Sequence, residues 1–188
     1  MANHYADERR IYERQECRAN TGTARAGMEG LVIVMGIDPG PTHSAYCLVR
    51  HDYSIVDARK VPNAHLDLDD RTIGSDFCQI AEIAIEGLAC YGRPVGKETF
   101  ETAYMVGRVL EQADRAMTPC TIYHRPEYAN AIAGTGKVTD AVLYQALRLR
   151  FGEATKGGPL YVLKGESDLR SAYAVAVYHL DVTKRGRK

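Results

Sequence analysis

The segment Leu31-Val-Ile-Val-Met-Gly-Ile-Asp-Pro-Gly-Pro41 predicts the first strand of the fold and the turn that ends it. Its first seven residues are apolar and rich in β-branched side chains, which predicts a buried strand. The Asp-Pro-Gly-Pro sequence that follows is typical of a turn and ends the strand. The segment therefore places a carboxylate, Asp38, at the point where a buried strand ends.

The residues after this turn predict further strands. Residues 44–49 and 54–61 read as two strands that form an antiparallel three-stranded meander with the first one. Residues 69–81 predict a helix, and residues 83–85 predict a short strand that ends at Glu86. A second carboxylate therefore follows a second apolar strand.

The second half of the chain predicts mostly helices. Residues 97–115 have helical spacing, with Phe100, Ala103, Gly107 and Leu110 on one side. Residues 121–123 predict a strand, and helices are predicted at 127–133, 138–151 and 167–180. The whole order predicts an α/β fold with a mixed β-sheet, in which the meander is joined by parallel strands and helices cover both faces.

The length and composition suit one folded domain with extensions. The chain has 188 residues, of which 45% are hydrophobic and 26% charged, enough for one sizeable core. We expect a flexible N-terminal extension over residues 1–30, a folded domain over residues 31–182 and a basic C-terminal tail over residues 183–188. The net charge is zero, but residues 137–188 contain ten Lys/Arg against five Asp/Glu, a pattern that could fit a DNA-contacting surface there. Ordinary scatter of surface charge is the alternative.

The cysteine pattern and the hydropathy exclude several classes of protein. The five cysteines are widely spaced and contain no Cys-x-x-Cys pair, so neither a zinc site nor a disulfide framework is indicated. No stretch of the sequence is apolar enough to cross a membrane, and the N-terminus lacks the apolar core of a signal peptide. We therefore expect a cytoplasmic protein with reduced thiols and no membrane partner.

Three acidic residues stand where chemistry is possible. Asp38 and Glu86 follow apolar strands, and Asp168 opens the last predicted helix. Neighbouring strands can bring such residues together, and a divalent cation would relieve their repulsion. Oxygen ligands favour Mg²⁺, which Mn²⁺ can replace. The alternative is structural, because Asp38 could organise its turn and Asp168 could interact with its helix dipole.

Four segments, taken in order, resemble a known family. Gly36-Ile-Asp-Pro-Gly40, Ile85-Glu86 and the helix from Ser167 to Val177 resemble the corresponding parts of RuvC-type Holliday junction resolvases, which belong to the RNase H-like superfamily. The stretch from Tyr91 to Thr102, with Gly107-Arg108, and the segment Gly136-Lys-Val-Thr-Asp-Ala141 resemble a phage and prophage branch of that family. The similarity extends over residues 34–177 and leaves the first thirty residues outside.

The resemblance implies a function and a site. It implies that residues 31–182 are an RNase H-like nuclease domain that cleaves branched DNA at four-way junctions as a homodimer. It implies a crossover junction endodeoxyribonuclease that depends on Mg²⁺ or Mn²⁺ and needs no nucleotide cofactor. Asp38, Glu86 and Asp168 would be the catalytic metal ligands. The family's second aspartate on the last helix would fall at Ser171, so we consider Asp140 the candidate fourth carboxylate.

Four further residues are candidates for contact with DNA. Arg93, Arg108 and Lys137 carry positive charge that suits phosphate groups. Tyr91 lies in a Gly- and Pro-containing loop after the second acidic strand, where its ring could stack on an unpaired base. Each of the four could equally be an ordinary surface or loop residue.

Three other functions fit parts of the sequence. Another RNase H-like nuclease, acting on flaps or RNA/DNA hybrids, would share the acidic site and differ in its substrate. A catalytically decayed DNA-binding homologue would explain the serine at position 171. An ATP-binding protein of the actin and sugar-kinase type begins with a similar Gly-Ile-Asp-x-Gly turn, but it needs two such domains and this chain has room for one.

Overall fold

A computed structural model of the chain describes residues 33–68, 80–89, 92, 94–134 and 136–186. The predicted extension over residues 1–30 lies outside this part of the chain. So does most of the helix predicted over residues 69–81. Its last two residues, Ile80 and Ala81, belong to a strand, so the prediction was wrong at that end. The reason is that Ile80 and Ile83 pack into the sheet core, which extends the strand backwards.

The described residues form a five-stranded mixed sheet. The strands are β1 (Ile33–Asp38), β2 (His43–Arg50), β3 (Ile55–Pro62), β4 (Ile80–Gly87) and β5 (Cys120–His124). Their order across the sheet is β3-β2-β1-β4-β5. The first three strands are antiparallel to one another, whereas β4 and β5 run parallel to β1. The predicted meander with added parallel strands is confirmed.

Four α-helices among the described residues cover the sheet. They are α1 (Lys97–Arg115), α2 (Arg125–Ala133), α3 (Asp140–Phe151) and α4 (Ser167–Gly186). Two short 3₁₀ turns, Asn63–His65 and Tyr161–Leu163, were not predicted. α2 begins two residues earlier than expected, directly after β5, because Pro126 fits the first turn of a helix.

The core has two layers, one on each face of the sheet. On one face, α1 packs on the large aliphatic side chains of β1 and β4, such as Ile37 and Ile85. On the other face, α2, α3 and α4 pack on smaller side chains, such as Ala45 and Ala84. Helices therefore lie on both faces, as predicted.

The side of α1 that has helical spacing in the sequence faces away from the sheet. The buried residues of α1 are Thr102, Met105, Val109, Gln112 and Ala113. Phe100 and Tyr104, by contrast, are 53% and 74% exposed. Phe100 therefore lies on an outer apolar face of α1 and not in the core.

Gly36 allows α4 to lie directly against β1. A Cβ atom at this position would lie 2.0 Å from the carbonyl oxygen of Ala172 and 2.8 Å from the Cβ of Ala176. Neither distance is sterically possible, so only glycine permits this contact. Because Asp168 lies one helical turn before Ala172, the contact brings the start of α4 towards the end of β1.

The C-terminal end of α4 is also tied down. The helix continues to Gly186, so residues 183–186, which we expected in a separate basic tail, are helical. Lys184 explains the extension, because its ammonium group donates to the carbonyl of His51 over 2.7 Å and lies 3.7 Å from the centre of the Tyr53 ring. Only residues 187–188 of the predicted tail lie outside the described part of the chain.

Two remaining predictions concern thiols and membrane spans. Cys47 and Cys120 are free thiols, and burial raises the pKa of both. Among the described residues, no helix combines the length and the apolar character that spanning a membrane requires.

Candidate active site

Asp38 and Glu86 lie side by side at one edge of the sheet. Ile37 of β1 pairs with Ile85 of β4 in parallel register, and the two acids are the next residues of these strands. Side chains alternate between faces along a strand, so both acids point to the same face as Gly36 and Ala84. That face is the one covered by α4.

The Asp38 carboxyl group is largely buried at the end of β1. Burial, followed by the negative charges of Glu86 and Asp168, raises the pKa of Asp38 to about 8. Among the residues that the structure describes, none donates a hydrogen bond to this carboxylate or forms an ion pair with it. A buried carboxylate without a donor is costly, so the position suits a cation.

Glu86 is held by a neighbouring tyrosine. The hydroxyl of the buried Tyr128 on α2 donates to Glu86 Oε2 over 2.7 Å. Burial raises the pKa of Glu86, whereas the hydrogen bond from Tyr128 and the charge of Arg125 act in the opposite direction. Tyr128 therefore fixes the direction of this carboxylate, a role that no sequence pattern indicated.

Arg125 is the functional residue that the sequence analysis missed. It is the first residue of α2, and its guanidinium group lies among the acids of the site. It forms an ion pair with Asp140 and donates over 3.1 Å to both Ser171 Oγ and the Tyr128 hydroxyl. Its Nη1 also lies 4.0 Å from Glu86 Oε2. An arginine directly after β5, the strand that pairs with β4, was the available signal.

Asp168 is paired with a lysine from the edge of the meander. The Lys60 ammonium group lies 2.5 Å from Asp168 Oδ2. The hydrogen bond from Lys60 is the main reason that the pKa of Asp168 is lowered. The register explains the contact, because Asp38, Ala45 and Lys60 are direct neighbours across β1, β2 and β3 and therefore share one face.

The two candidates for the fourth carboxylate position lie on either side of Arg125. Asp140 is the first residue of α3, is largely exposed and forms the ion pair with Arg125. Ser171 is buried on α4, and its hydroxyl accepts from the same guanidinium group. One cation therefore occupies the space next to both positions.

The turn after Asp38 is held by a hydrogen-bond network. The amide of Asn63 donates to the carbonyl of Gly40 over 2.9 Å, and its side-chain oxygen accepts from the Ser44 hydroxyl over 2.7 Å. Arg108 on α1 donates to the backbone carbonyl of Asn63 over 2.8 Å. Arg108 thus supports the turn that follows the first acid.

The other proposed DNA contacts are placed as follows. Lys137 is exposed in the loop between α2 and α3, three residues before Asp140. Tyr91 and Arg93 lie outside the described residues. Contact with DNA stays a prediction for all four candidates.

The site as a whole keeps a negative charge. Within the described ranges, no three His, Cys, Asp or Glu side chains are grouped closely enough to hold a metal ion as they stand. However, Asp38 interacts electrostatically with Glu86, Asp168 and Asp140, so the four predicted acids share one neighbourhood. When all four acids are ionised, Lys60 and Arg125 balance two of their charges, and two negative charges remain.

Comparison with known proteins identifies the fold. No protein-family model matches the chain, and no curated protein matches it significantly in sequence. Among solved structures, Thermus thermophilus RuvC in complex with a Holliday junction substrate superposes with a TM-score of 0.65 and 20% sequence identity, covering 82% of this chain and 96% of that one. Another structure of Thermus thermophilus RuvC gives a TM-score of 0.64 and 21% identity, covering 82% and 97% of the two chains.

A eukaryotic protein shares the fold more distantly. The yeast mitochondrial Holliday junction resolvase Ydc2 superposes with a TM-score of 0.53 and 13% identity, covering 84% of this chain and 83% of that one. The described residues therefore have the α/β, RNase H-like fold of the RuvC-type resolvases. The likeness that the sequence segments suggested is confirmed at the level of the fold.

Proposed function

We propose that this protein is a divalent-metal-dependent endonuclease that resolves four-way DNA junctions. The observation that carries the proposal is the carboxylate of Asp38, which lies beside Glu86 and Asp168 and accepts no hydrogen bond from any residue that the structure describes. The fold is that of RuvC, one structure of which contains a Holliday junction substrate. Fold alone does not define an activity, so the acidic site carries the argument.

The residues present fit a magnesium ion by their chemistry. All candidate ligands are carboxylate oxygens, which are the donors that Mg²⁺ and Mn²⁺ prefer. Asp38, Glu86 and Asp168 would hold the ion, and Asp140 is the fourth acid in reach once its ion pair with Arg125 opens. When bound, such an ion supplies an activated water and stabilises the leaving oxygen in phosphodiester hydrolysis.

The remaining groups of the site position the reactants. Tyr128 orients Glu86 by a hydrogen bond. Lys60 pairs with Asp168 until Asp168 binds the metal ion. Lys137, exposed beside the site, and Tyr91, Arg93 and Arg108 are the proposed contacts with the DNA. Contacts to phosphate groups would position the junction without reading its sequence.

We propose a homodimer that uses the outer face of α1. Phe100, Ala103, Tyr104 and Gly107 form an exposed apolar strip along this helix, and a second copy of the chain is the partner that we assign to it. A Cβ atom at Gly107 would meet no other atom within 4 Å, so nothing in the described chain covers this position. A two-fold dimer suits a four-way junction because each subunit can nick one strand symmetrically.

Sedimentation of the Tyr104→Glu variant tests the dimer. We expect the wild type to be a dimer and the variant a monomer with an unchanged circular dichroism spectrum. A wild-type monomer at micromolar concentration would reject the homodimer, and a variant that stays dimeric would place the interface elsewhere.

The proposal also covers origin and location. Action in the cytoplasm of a bacterial or phage-infected cell, and an origin in a phage or prophage, follow from the resemblance of the sequence segments. They are proposals that accompany the function and do not support it.

A cleavage assay tests the function. Purified protein is incubated with a synthetic four-way junction, a flap, a linear duplex and an RNA/DNA hybrid, each with Mg²⁺ or with a chelator. We expect Mg²⁺-dependent paired nicks in the junction and little cleavage of the other substrates. Asp38→Asn should lower the rate by at least about 1000-fold while junction binding is kept. Cleavage of the hybrid alone, or full activity of Asp38→Asn, would reject the proposal.

A further inference from the structure

The guanidinium group of Arg125 places a positive charge within the acidic site. Its guanidinium group contacts both places where a fourth carboxylate was expected, since it pairs with Asp140 and donates to Ser171. It also lies near Glu86 and shares the hydroxyl of Tyr128 with it. One protein cation thus connects α2, α3, α4 and β4 at the centre of the acidic site.

The contacts around Arg125 hold it in place. The side chain is only partly exposed, and the buried Tyr128 and Ser171 supply two of its acceptors. Arginine stays charged at any pH at which the protein folds, and its planar group keeps several donors in fixed directions. The positive charge is therefore a permanent part of the site.

The charge balance agrees with this arrangement. Asp38, Glu86, Asp140 and Asp168 carry four formal negative charges, and Lys60 and Arg125 supply two positive ones. The remaining two charges match one divalent ion. A second divalent ion beside Arg125 would meet a guanidinium group that already occupies Asp140.

We propose that Arg125 is a built-in cation that takes the place of a second metal ion, so that the acidic site loads one divalent ion per chain. The proposal rests on the proposed function in that it assumes that Asp38, Glu86 and Asp168 hold this ion. A serine at position 171 suits this arrangement, because its hydroxyl accepts a hydrogen bond from Arg125 without adding a negative charge.

Mn²⁺ binding to the protein without DNA tests the proposal, with isothermal titration and electron paramagnetic resonance as readouts. We expect the wild type to bind one Mn²⁺ per chain in the acidic site. In Arg125→Gln, the affinity for Mn²⁺ should rise by about tenfold because a nearby positive charge is lost. Arg125→Lys, which keeps the charge, should bind Mn²⁺ as the wild type does.

The double variant Arg125→Gln/Ser171→Asp makes the test sharper. It restores a carboxylate at position 171 and frees Asp140, so we expect two bound Mn²⁺ ions per chain. Arg148→Gln is the matched control, because Arg148 lies two helical turns beyond Asp140 on α3 and pairs with the exposed Glu153. This control should leave both the number of ions and their affinity unchanged.

The outcomes separate this proposal from the function. Two Mn²⁺ ions in the wild type, or a lower Mn²⁺ affinity in a folded Arg125→Gln variant, would overturn the role of Arg125 while Mg²⁺-dependent junction cleavage could stand. A wild type that binds no Mn²⁺ and cleaves no junction would overturn both. The count of ions in the wild type needs no variant, so a variant that fails to fold does not remove the test.

Discussion

Two aspartates, one near each end of α4, have pKa values that are shifted in opposite directions. Near the C-terminal end, Asp181 accepts from both terminal nitrogens of Arg150, over 2.6 and 2.7 Å, and from the Tyr53 hydroxyl over 2.7 Å. Burial alone would raise the pKa of Asp181, but these hydrogen bonds outweigh it and the pKa is lowered. At the other end, Asp38 lies against the start of the same helix with a pKa of about 8.

A structural acid and a functional acid differ in whether the protein supplies their hydrogen-bond donors. Asp181 has its partners within the protein, so it stabilises the fold by joining α3 and α4 to the turn after β2. Asp38 has no donor among the described residues and is destabilised by its neighbours, a cost that proteins retain at sites of function. The same residue type therefore has two roles, which are set by its surroundings.

Of the substitutions outside the proposed metal ligands, one at Tyr128 should have the largest effect on the cleavage rate. Tyr128→Phe removes the hydroxyl that orients Glu86 and contacts Arg125, while the buried ring is kept. We expect cleavage of the junction to fall by about 10- to 100-fold, as is typical when a group that orients a metal ligand is lost. Rates measured across Mg²⁺ concentrations check this. Tyr144→Phe is the control, because Tyr144 is a half-buried tyrosine of α3 whose ring contacts Arg170, and equal rates for the two variants would contradict the role of Tyr128.

The second change removes the ion pair of Asp181 near the C-terminal end of α4. Asp181→Asn removes the charge that Arg150 and Tyr53 satisfy, and we expect the free energy of unfolding to fall by about 1–3 kcal/mol. Cleavage by the folded variant should stay close to that of the wild type, since position 181 lies about 20 Å along the helix from Asp168. Urea unfolding and the cleavage assay check the two halves of this prediction.

The pH dependence of the same variant has a defined sign. The folded pKa of Asp181 is lowered, so its stabilising effect is present above the unfolded pKa of about 4 and is lost as the pH falls through the folded value. The stability difference between wild type and Asp181→Asn should therefore shrink from pH 7 towards pH 3. A difference that grows in acid would show that Asp181 stabilises the fold in another way.

The smallest change concerns Lys60, the exposed partner of Asp168. Lys60→Met should alter the free energy of unfolding by less than about 1 kcal/mol, because exposed ion pairs contribute little. The affinity for Mn²⁺ should rise a few-fold, since Asp168 loses a competing cation. Lys97→Met removes an exposed ion pair on α1 and is the control. A loss of Mn²⁺ affinity in Lys60→Met would mean that Lys60 supports the site.

The sequence predicted the parts of this architecture that depend on local patterns. The apolar run before Asp38 and the Pro-Gly turn after it defined β1, and the strand before Glu86 defined β4. Their alignment as neighbours then followed from the fold class. Asp168 was a candidate because it opens the last predicted helix, and the resemblance to a known family then implied that all three acids are metal ligands.

The cations and the supporting groups could not be predicted in this way. Lys60 reaches Asp168 only because β1, β2 and β3 align in one register, and Arg125 reaches Asp140 only because α2 and α3 pack together. The outer face of α1 was also invisible, since helical spacing shows that one side is apolar but not which side faces the sheet. Such contacts depend on tertiary packing, which single-sequence patterns do not contain.

The claim that the Asp38 carboxylate requires a cation can be tested by thermal unfolding. The wild type and Asp38→Asn are compared at pH 8, with and without Mg²⁺. Because the folded pKa of Asp38 is raised, its ionisation costs stability as the pH rises, so without Mg²⁺ the variant should be more stable by roughly 1–3 kcal/mol. Mg²⁺ should raise the unfolding temperature of the wild type, since a bound ion stabilises the folded state, and leave the variant nearly unchanged. A variant that is less stable than the wild type, or an equal response of both proteins to Mg²⁺, would contradict the claim that Asp38 is a carboxylate that requires a cation.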